Sequence, residues 1–183
     1  MLGDPDLFGA LLDRLADLAI ASITSQVAAG ASAAQLFDSW AGTLSVDHYR
    51  RHVLPHSTKV FDALRDLGVP TIHFGVGTGE LLASMADAGP DVVGVDWRVP
   101  LDHARTRVGD RSVQGNLDPA ACLAPWSVVR DEVRRVLAAN GGRTGHVFNL
   151  GHGVLPETDP TVLTRVVELV HDEGRTAADP NGS

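Results

Sequence analysis

Apolar residues recur along this chain at two spacings, and the alternation between them predicts its architecture. From Asp4 and Pro5 onward, Leu7, Leu11, Leu15, Leu18 and Ile23 fall at helical intervals until the run ends near Gly30. A short strand-like run, Ala34 to Phe37, then gives way to the polar Asp38 and Ser39. A second helical region is expected from Val46 through Pro55 to Leu67, closing at Gly68. Thr71 to Phe74 reads as the next strand, followed by the glycine-rich 75–79 and a helix from Glu80 to Ala88. Val92 to Val95 reads as a third strand, closing on Asp96 and Trp97, and a helical piece spans Leu101 to Val108. Ser112 to Leu117 is a fourth strand ending at Asp118, Pro125 to Asn140 a helix, Val147 to Leu150 a fifth strand and Pro160 to His171 the last helix.

Strand and helix thus alternate, and no hairpin signal joins successive strands. The expected class is α/β, a parallel sheet covered by helices. An open doubly wound sheet and a closed barrel both satisfy the pattern, and periodicity does not separate them. One domain is expected over residues 1–174, with a polar tail over 175–183 expected to be disordered.

Composition narrows the function classes. A chain of 183 residues with 44% hydrophobic and 21% charged content suits one globular domain with a sizeable core. A net charge of -8 argues against nucleic acid or an anionic membrane surface as the main partner, although a local arginine cluster can still receive an anionic small molecule. The single cysteine, Cys122, excludes an internal disulfide and a multi-cysteine zinc site and fits a reducing cytoplasm. Neither a signal segment nor an apolar run of membrane-spanning length is seen, so a cytoplasmic location is expected.

Candidate chemistry sits at the strand exits, where parallel α/β proteins bind ligands. His152 lies between Gly151 and Gly153, after the apolar Val147, Phe148 and Leu150 and before a helix with Thr158 or Asp159 as N-cap and Pro160 at its first position. The glycines are expected to allow unusual backbone angles or close approach to the main chain. In QLFDSWAG, Asp38 and Ser39 leave the strand together; the competing reading is a solvated aspartate and a helix-capping serine. Arg98, in VDWRVP, could hold a carboxylate bidentately or be a surface arginine ahead of Pro100. His73, His103, His146 and His171 are read as structural, because no zinc spacing and no assignable triad involves them. HFGVGTGELL followed by VVGVD looks like the cofactor loop of S-adenosylmethionine-dependent methyltransferases, with Asp96 in the place of the ribose-binding acid. Two departures count against it: His73 stands where those enzymes usually carry an acid, and a complete strand and helix precede the loop.

Taken together, QLFDSWAG, the LPH at 54–56, HFGVGTGELL, VVGVDWRVPL, VQGNLDP and VFNLGHGVLPETDP resemble the uroporphyrinogen decarboxylase family in its bacterial form, from about Gly3 to Asp172. The resemblance implies a TIM-type (β/α)8 barrel, a homodimer, and no metal or organic cofactor. It implies decarboxylation of the four acetate side chains of uroporphyrinogen III to give coproporphyrinogen III. It also makes Ser39 and His152 substrate-binding residues; Asp38 and Arg98 stay as weaker candidates on their strand-end positions alone. The family's arginine-rich motif, pyrrole-binding aspartate and pocket tyrosine have no counterpart here, and about five of eight barrel strands are counted. The chain is therefore expected to be a C-terminal portion with little activity alone, or else a non-catalytic half-barrel that pairs with itself or with another chain. The family's methyltransferase branch, which uses zinc with thiolate and histidine ligands, fits poorly with Cys122 alone.

Overall fold

Asp4 starts the first helix: its carboxylate accepts a hydrogen bond from the Leu7 amide at 2.9 Å, and Pro5 occupies the first helical position. In the computed structural model, which describes residues 1–178 and the side chains of 1–174, this helix, α1, spans Pro5–Ala28. Of the expected stripe only Ile23 is buried. Ala16 and Ile23 are buried against Val60 and Leu64, with Ala19, Ile20 and Val27 packed beside them, while Leu7, Leu11, Leu15 and Leu18 are exposed. Both sets have helical spacing, and the smaller residues are the ones turned toward the neighbouring helix.

The chain divides into two compact units, Met1–Val93 and a second from Gly94 onward. In the first unit, β1 (Ala34–Phe37) pairs in parallel with β2 (Thr71–Phe74), Ala34 opposite Thr71 and Phe37 opposite Phe74. The expected helix 46–67 is divided into α2 (Val46–His52), α3 (Leu54–Leu64) and a 3-10 turn, Arg65–Leu67. The division falls just ahead of Pro55, which has no N–H to continue the helical ladder. Gly68, at φ 72, then ends the segment in the left-handed conformation. α4 covers Leu82–Asp87 after a 3-10 turn over Gly79–Leu81. Asp91 accepts hydrogen bonds from the Thr71 amide and hydroxyl, tying the approach to β3 (Val92–Gly94) to the start of β2.

In the second unit, the Val95 amide donates to Gln114 on β4 (Ser112–Leu117), and β4 pairs in parallel with β5 (His146–Leu150) from Val113 opposite His146 to Leu117 opposite Leu150. α5 (Leu101–Val108) and α6 (Trp126–Asn140) flank β4, and α6 buries Val129, Val133 and Val136 at helical spacing. The Arg105 guanidinium donates to the Asn140 side chain and to the Thr144 and Gly145 carbonyls, closing the turn between α6 and β5. Asp159, whose carboxylate accepts from the Thr161 amide, precedes α7, which runs past His171 to Ala178. The remainder of the expected tail, 179–183, lies outside the described residues.

The class is therefore α/β: among the described residues five strands alternate with helices, and β1 with β2 and β4 with β5 pair in parallel, as the periodicity predicts. No helix among the described residues is long and apolar enough to cross a membrane.

Candidate functional site

Each unit presents candidate residues at its own strand exits. In the first, β1 ends on Asp38, whose amide donates to the Phe74 carbonyl at 2.7 Å and whose carbonyl accepts from the Ala41 amide at 3.2 Å. Two glycines let this turn meet the loop after β2 backbone to backbone. A Cβ on Gly75 would lie 2.8 Å from the Asp38 carbonyl oxygen, and one on Gly42 would strike the Val76 carbonyl and lie 2.8 Å from Gly77. The Thr78 hydroxyl folds the glycine loop onto itself by donating to the Gly75 carbonyl at 2.9 Å. The close approaches at Gly42 and Gly75 thus serve contact between two protein turns.

Ser39 is exposed at this exit, and so is Trp40 beside it. Asp38 turns its carboxylate inward: Oδ2 lies 3.7 Å from Nε2 of the fully buried His73. The two adjacent sequence candidates therefore have different surroundings. Tyr49, from α2, is also fully buried, and its phenol is pushed up from its ordinary pKa by burial first and by the Asp38 carboxylate second, against a hydrogen bond with the Ser57 side chain, which lowers it.

In the second unit, the exits of β3, β4 and β5 converge. Asp96 is buried at 3% exposure; its carboxylate accepts the Arg98 amide at 2.9 Å and the Arg98 guanidinium at 3.0 Å. That guanidinium lies 3.9 Å over the Trp97 ring, a cation–π arrangement. Trp97 in turn meets the His152 ring edge to face, with centroids 5.9 Å apart and planes at 81°. Asn116 fixes the turn from beneath, donating to the carbonyls of Asp96 at 2.9 Å and Val99 at 2.6 Å.

Gly151 permits this convergence. Its amide donates to the Leu117 carbonyl at 2.7 Å, and a Cβ there would strike the Trp97 amide nitrogen and lie 2.9 Å from the Trp97 Cα. Gly153 has open space around it, and neither glycine has a positive φ. Close approach, rather than an unusual backbone angle, is thus the requirement at Gly151. A concavity of about 220 Å³ opens beside His152, lined by Trp97, Asp118, Pro119, Gly153 and Leu155 among others. Asp118 accepts the Ala120 amide at 2.9 Å, which holds its carboxylate at the rim. The strand exits of this unit thus bring together an imidazole, an aromatic ring and a half-exposed guanidinium, with a carboxylate at the rim of the concavity.

Of the histidines read as structural, His73 is buried and His146 points Nε2 at the Gly115 carbonyl 2.7 Å away, whereas His103 and His171 are exposed. The sequence reading did not single out Trp97, Asn116 or Tyr49. Trp97 and Asn116 stand inside VDWRVP and QGNLDP, so their motifs marked them; nothing local marks Tyr49.

Comparison with known proteins gives the family. The family model described as Uroporphyrinogen decarboxylase (URO-D) matches residues 1–173. A Salinispora tropica protein named uroporphyrinogen decarboxylase is 65% identical over 173 residues, covering 94% of this chain and 47% of the relative. Proteins of the same name from Streptomyces coelicolor and Thermobifida fusca are 61% and 56% identical, again over 94% of this chain and 49% and 48% of their own lengths. The chain spans about half the length of the curated relatives it matches.

Proposed function

The chain belongs to the uroporphyrinogen decarboxylase family, and we propose that it contributes substrate-binding residues and five of eight strands to a barrel enzyme of that activity. In the proposed reaction the four acetate side chains of uroporphyrinogen III lose carbon dioxide, giving coproporphyrinogen III for haem synthesis. Protonation of a pyrrole carbon makes the ring an electron sink. The bond from the acetate methylene to its carboxylate breaks, the electron pair enters the ring and carbon dioxide leaves. Protonation of the methylene and loss of the ring proton then restore a pyrrole bearing a methyl group. The substrate supplies its own electron sink, so the reading invokes no metal or organic cofactor. The protein's part is a proton, counter-charges and orientation.

The observation that carries this reading is the His152 ring set against the Trp97–Arg98 stack at the strand exits. His152 would contact the substrate as a donor or, when protonated, as a counter-charge. The outer part of the Arg98 guanidinium would face a substrate carboxylate while Asp96 holds its inner part. Ser39, exposed at the β1 exit, would donate to a carboxylate. The complete enzyme would act as a homodimer in the cytoplasm. The tight packing at Gly42 and Gly75 supports a structural reading of the glycine loop; micromolar binding of S-adenosylmethionine by calorimetry would restore the cofactor reading.

The test is turnover of uroporphyrinogen III by the chain alone and with the relatives' remaining half added as a second chain. Little or no turnover is expected alone, and decarboxylation is expected from the mixture, weakened at least about tenfold by His152→Ala, the scale of a lost charge-assisted hydrogen bond. Robust turnover by the chain alone would overturn the need for the other half. A second reading, a non-catalytic half-barrel that pairs with itself or with another chain, is favoured by the exposed leucines of α1 and predicts association without turnover.

A further inference from the structure

The second unit holds another concavity, at the opposite end of β5 from His152. It encloses about 340 Å³ between α6, the turn that follows it, the start of β5 and α7. His146, the first residue of β5, lines it, whereas His152 lies beyond the strand's last residue, Leu150. Arg143, His146 and His171 give the lining cationic or ionisable nitrogen, and Leu137, Phe148 and Val170 give it apolar surface. None of the described residues that line it is acidic, in a chain whose formal charge is -8. Volume and lining, mostly apolar with a few polar groups, are those of a small-molecule pocket.

A further positive charge stands behind the wall. Arg105, on α5, is 8% exposed, and its Nη2 donates to Asn140 Oδ1 at 2.7 Å and to the Thr144 and Gly145 carbonyls at 3.1 and 3.0 Å. All three of these partners line the cavity. They are also all neutral: no carboxylate pairs with Arg105 among the described residues, and its buried Nε has no partner there. Arginine keeps its proton on burial, and a buried charge without a counter-ion is costly. Burial first and Arg143 second push the Arg105 guanidinium below its ordinary pKa, as an excess of positive charge requires. Glu173, on α7, does not supply the missing charge; its carboxylate is held by Arg134 at 2.6 and 2.9 Å and is not part of the lining. Arg143 and His171 are exposed, and their side chains have no hydrogen-bond or ion-pair partner among the described residues.

We propose that this cavity binds a small organic phosphate, with its dianionic head against Arg143 and His171 and its apolar body against Leu137, Phe148 and Val170. The ligand would bring the counter-charge that the fold lacks at this place. Arg105 acts through the wall: it fixes the turn over 140–145 and adds a positive potential that its burial shields from screening by salt. His146, whose Nε2 is fixed 2.7 Å from the Gly115 carbonyl, bounds the cavity on the β5 side. The site is separate from the proposed decarboxylation at the strand exits and does not depend on it.

Titration of the nitrogen-15-labelled chain with phenyl phosphate at neutral pH, followed by NMR, tests the proposal. The Thr144, Gly145 and His146 amides are expected to shift saturably, with a Kd of about 1 mM or tighter, the scale for a ligand of this size. Arg143→Gln should weaken binding at least about tenfold, as for a lost charge-assisted hydrogen bond. Arg143 is exposed and its backbone carbonyl, which accepts from Asn140, is retained in this variant, so the fold should be kept. Inorganic phosphate should bind more weakly than phenyl phosphate, and benzyl alcohol should give no saturable shift. Benzoate, with one negative charge, should also bind more weakly. Shifts that do not saturate, or that Arg143→Gln leaves unchanged, would overturn the site. Equal binding of benzyl alcohol or benzoate would overturn recognition of a dianion, and shifts centred on residues 151–153 would place the ligand at the strand exit instead.

Discussion

Gly151 and Gly153 flank the same histidine, yet their roles separate once the backbone of Trp97 is in place. A Cβ at Gly151 meets Trp97 main-chain atoms, which cannot swing aside as a side chain tip would, whereas a Cβ at Gly153 meets nothing within 4 Å. Gly151→Ala is therefore expected to cost about 1–3 kcal/mol, the range for overpacking a tight contact, and Gly153→Ala to stay within about 0.5 kcal/mol. Urea unfolding of both variants checks this, and equal effects would contradict it. The position of the glycine-framed histidine at a strand exit was legible in sequence, because small and polar residues punctuate the end of the apolar run. The reason for the first glycine was not, because the atoms that crowd it come from the turn after β3. Asp38 shows the same limit: next to Ser39 in the chain, its carboxylate turns toward His73 on β2, which local sequence does not connect to it.

Periodicity located the elements well, because helix and strand differ in the spacing of their apolar residues, but it did not decide which face of α1 is buried. Two apolar stripes share that helix. The one containing Ala16 and Ile23 packs on α3, where small residues allow close approach, and the one containing Leu7, Leu11 and Leu18 stays exposed. Ile23→Ala should thus cost about 2–4 kcal/mol through lost burial and a residual cavity. Leu11→Gln should change stability by less than about 0.5 kcal/mol, as for an exposed site. Thermal and urea unfolding distinguish the two, and a large loss for Leu11→Gln would place the core on the other stripe. The β4–β5 pair carries a pH-dependent tie of its own. Burial holds the His146 imidazole below its ordinary pKa, against the hydrogen bond to the Gly115 carbonyl, which raises it, and with a smaller lowering by Arg105. The unfolded chain then binds a proton more readily than the folded one, so this contribution is complete above the ordinary histidine value of about 6.5 and is lost as pH falls from there through the lower folded value. Unfolding free energy is expected to decline below about pH 6.5 by at most about 1.4 kcal/mol per pH unit from this group, and the decline should flatten in His146→Gln. An unchanged slope would assign the titration to another group.

At the scale of the whole chain, charge and uncovered apolar surface act against each other. A formal charge of -8 at pH 7 keeps copies apart, while the exposed leucines of α1, Phe37 and Trp40 at the β1 exit and Val147 on β5 favour association. β5 has no fully buried residue, whereas β4 is buried from Val113 to Leu117. A count of five strands was legible in sequence, but which of them would be left half-covered was not, since that depends on which neighbours are present. As pH approaches the sequence pI of about 5.3, the repulsion fades and the apolar surface remains. Light scattering is therefore expected to show a rising, reversible increase in mass between about pH 8 and pH 5.5, with far-UV circular dichroism retained if folded copies associate. Simultaneous Leu7→Gln, Leu11→Gln and Leu18→Gln should reduce the increase. A constant mass across that range would mean that the exposed positions are too dispersed to drive association. Addition of the relatives' remaining half extends the same test. If it forms the rest of a barrel, it should suppress self-association and bring decarboxylation with it, because the surface that joins copies would then be occupied by the structure that completes the site.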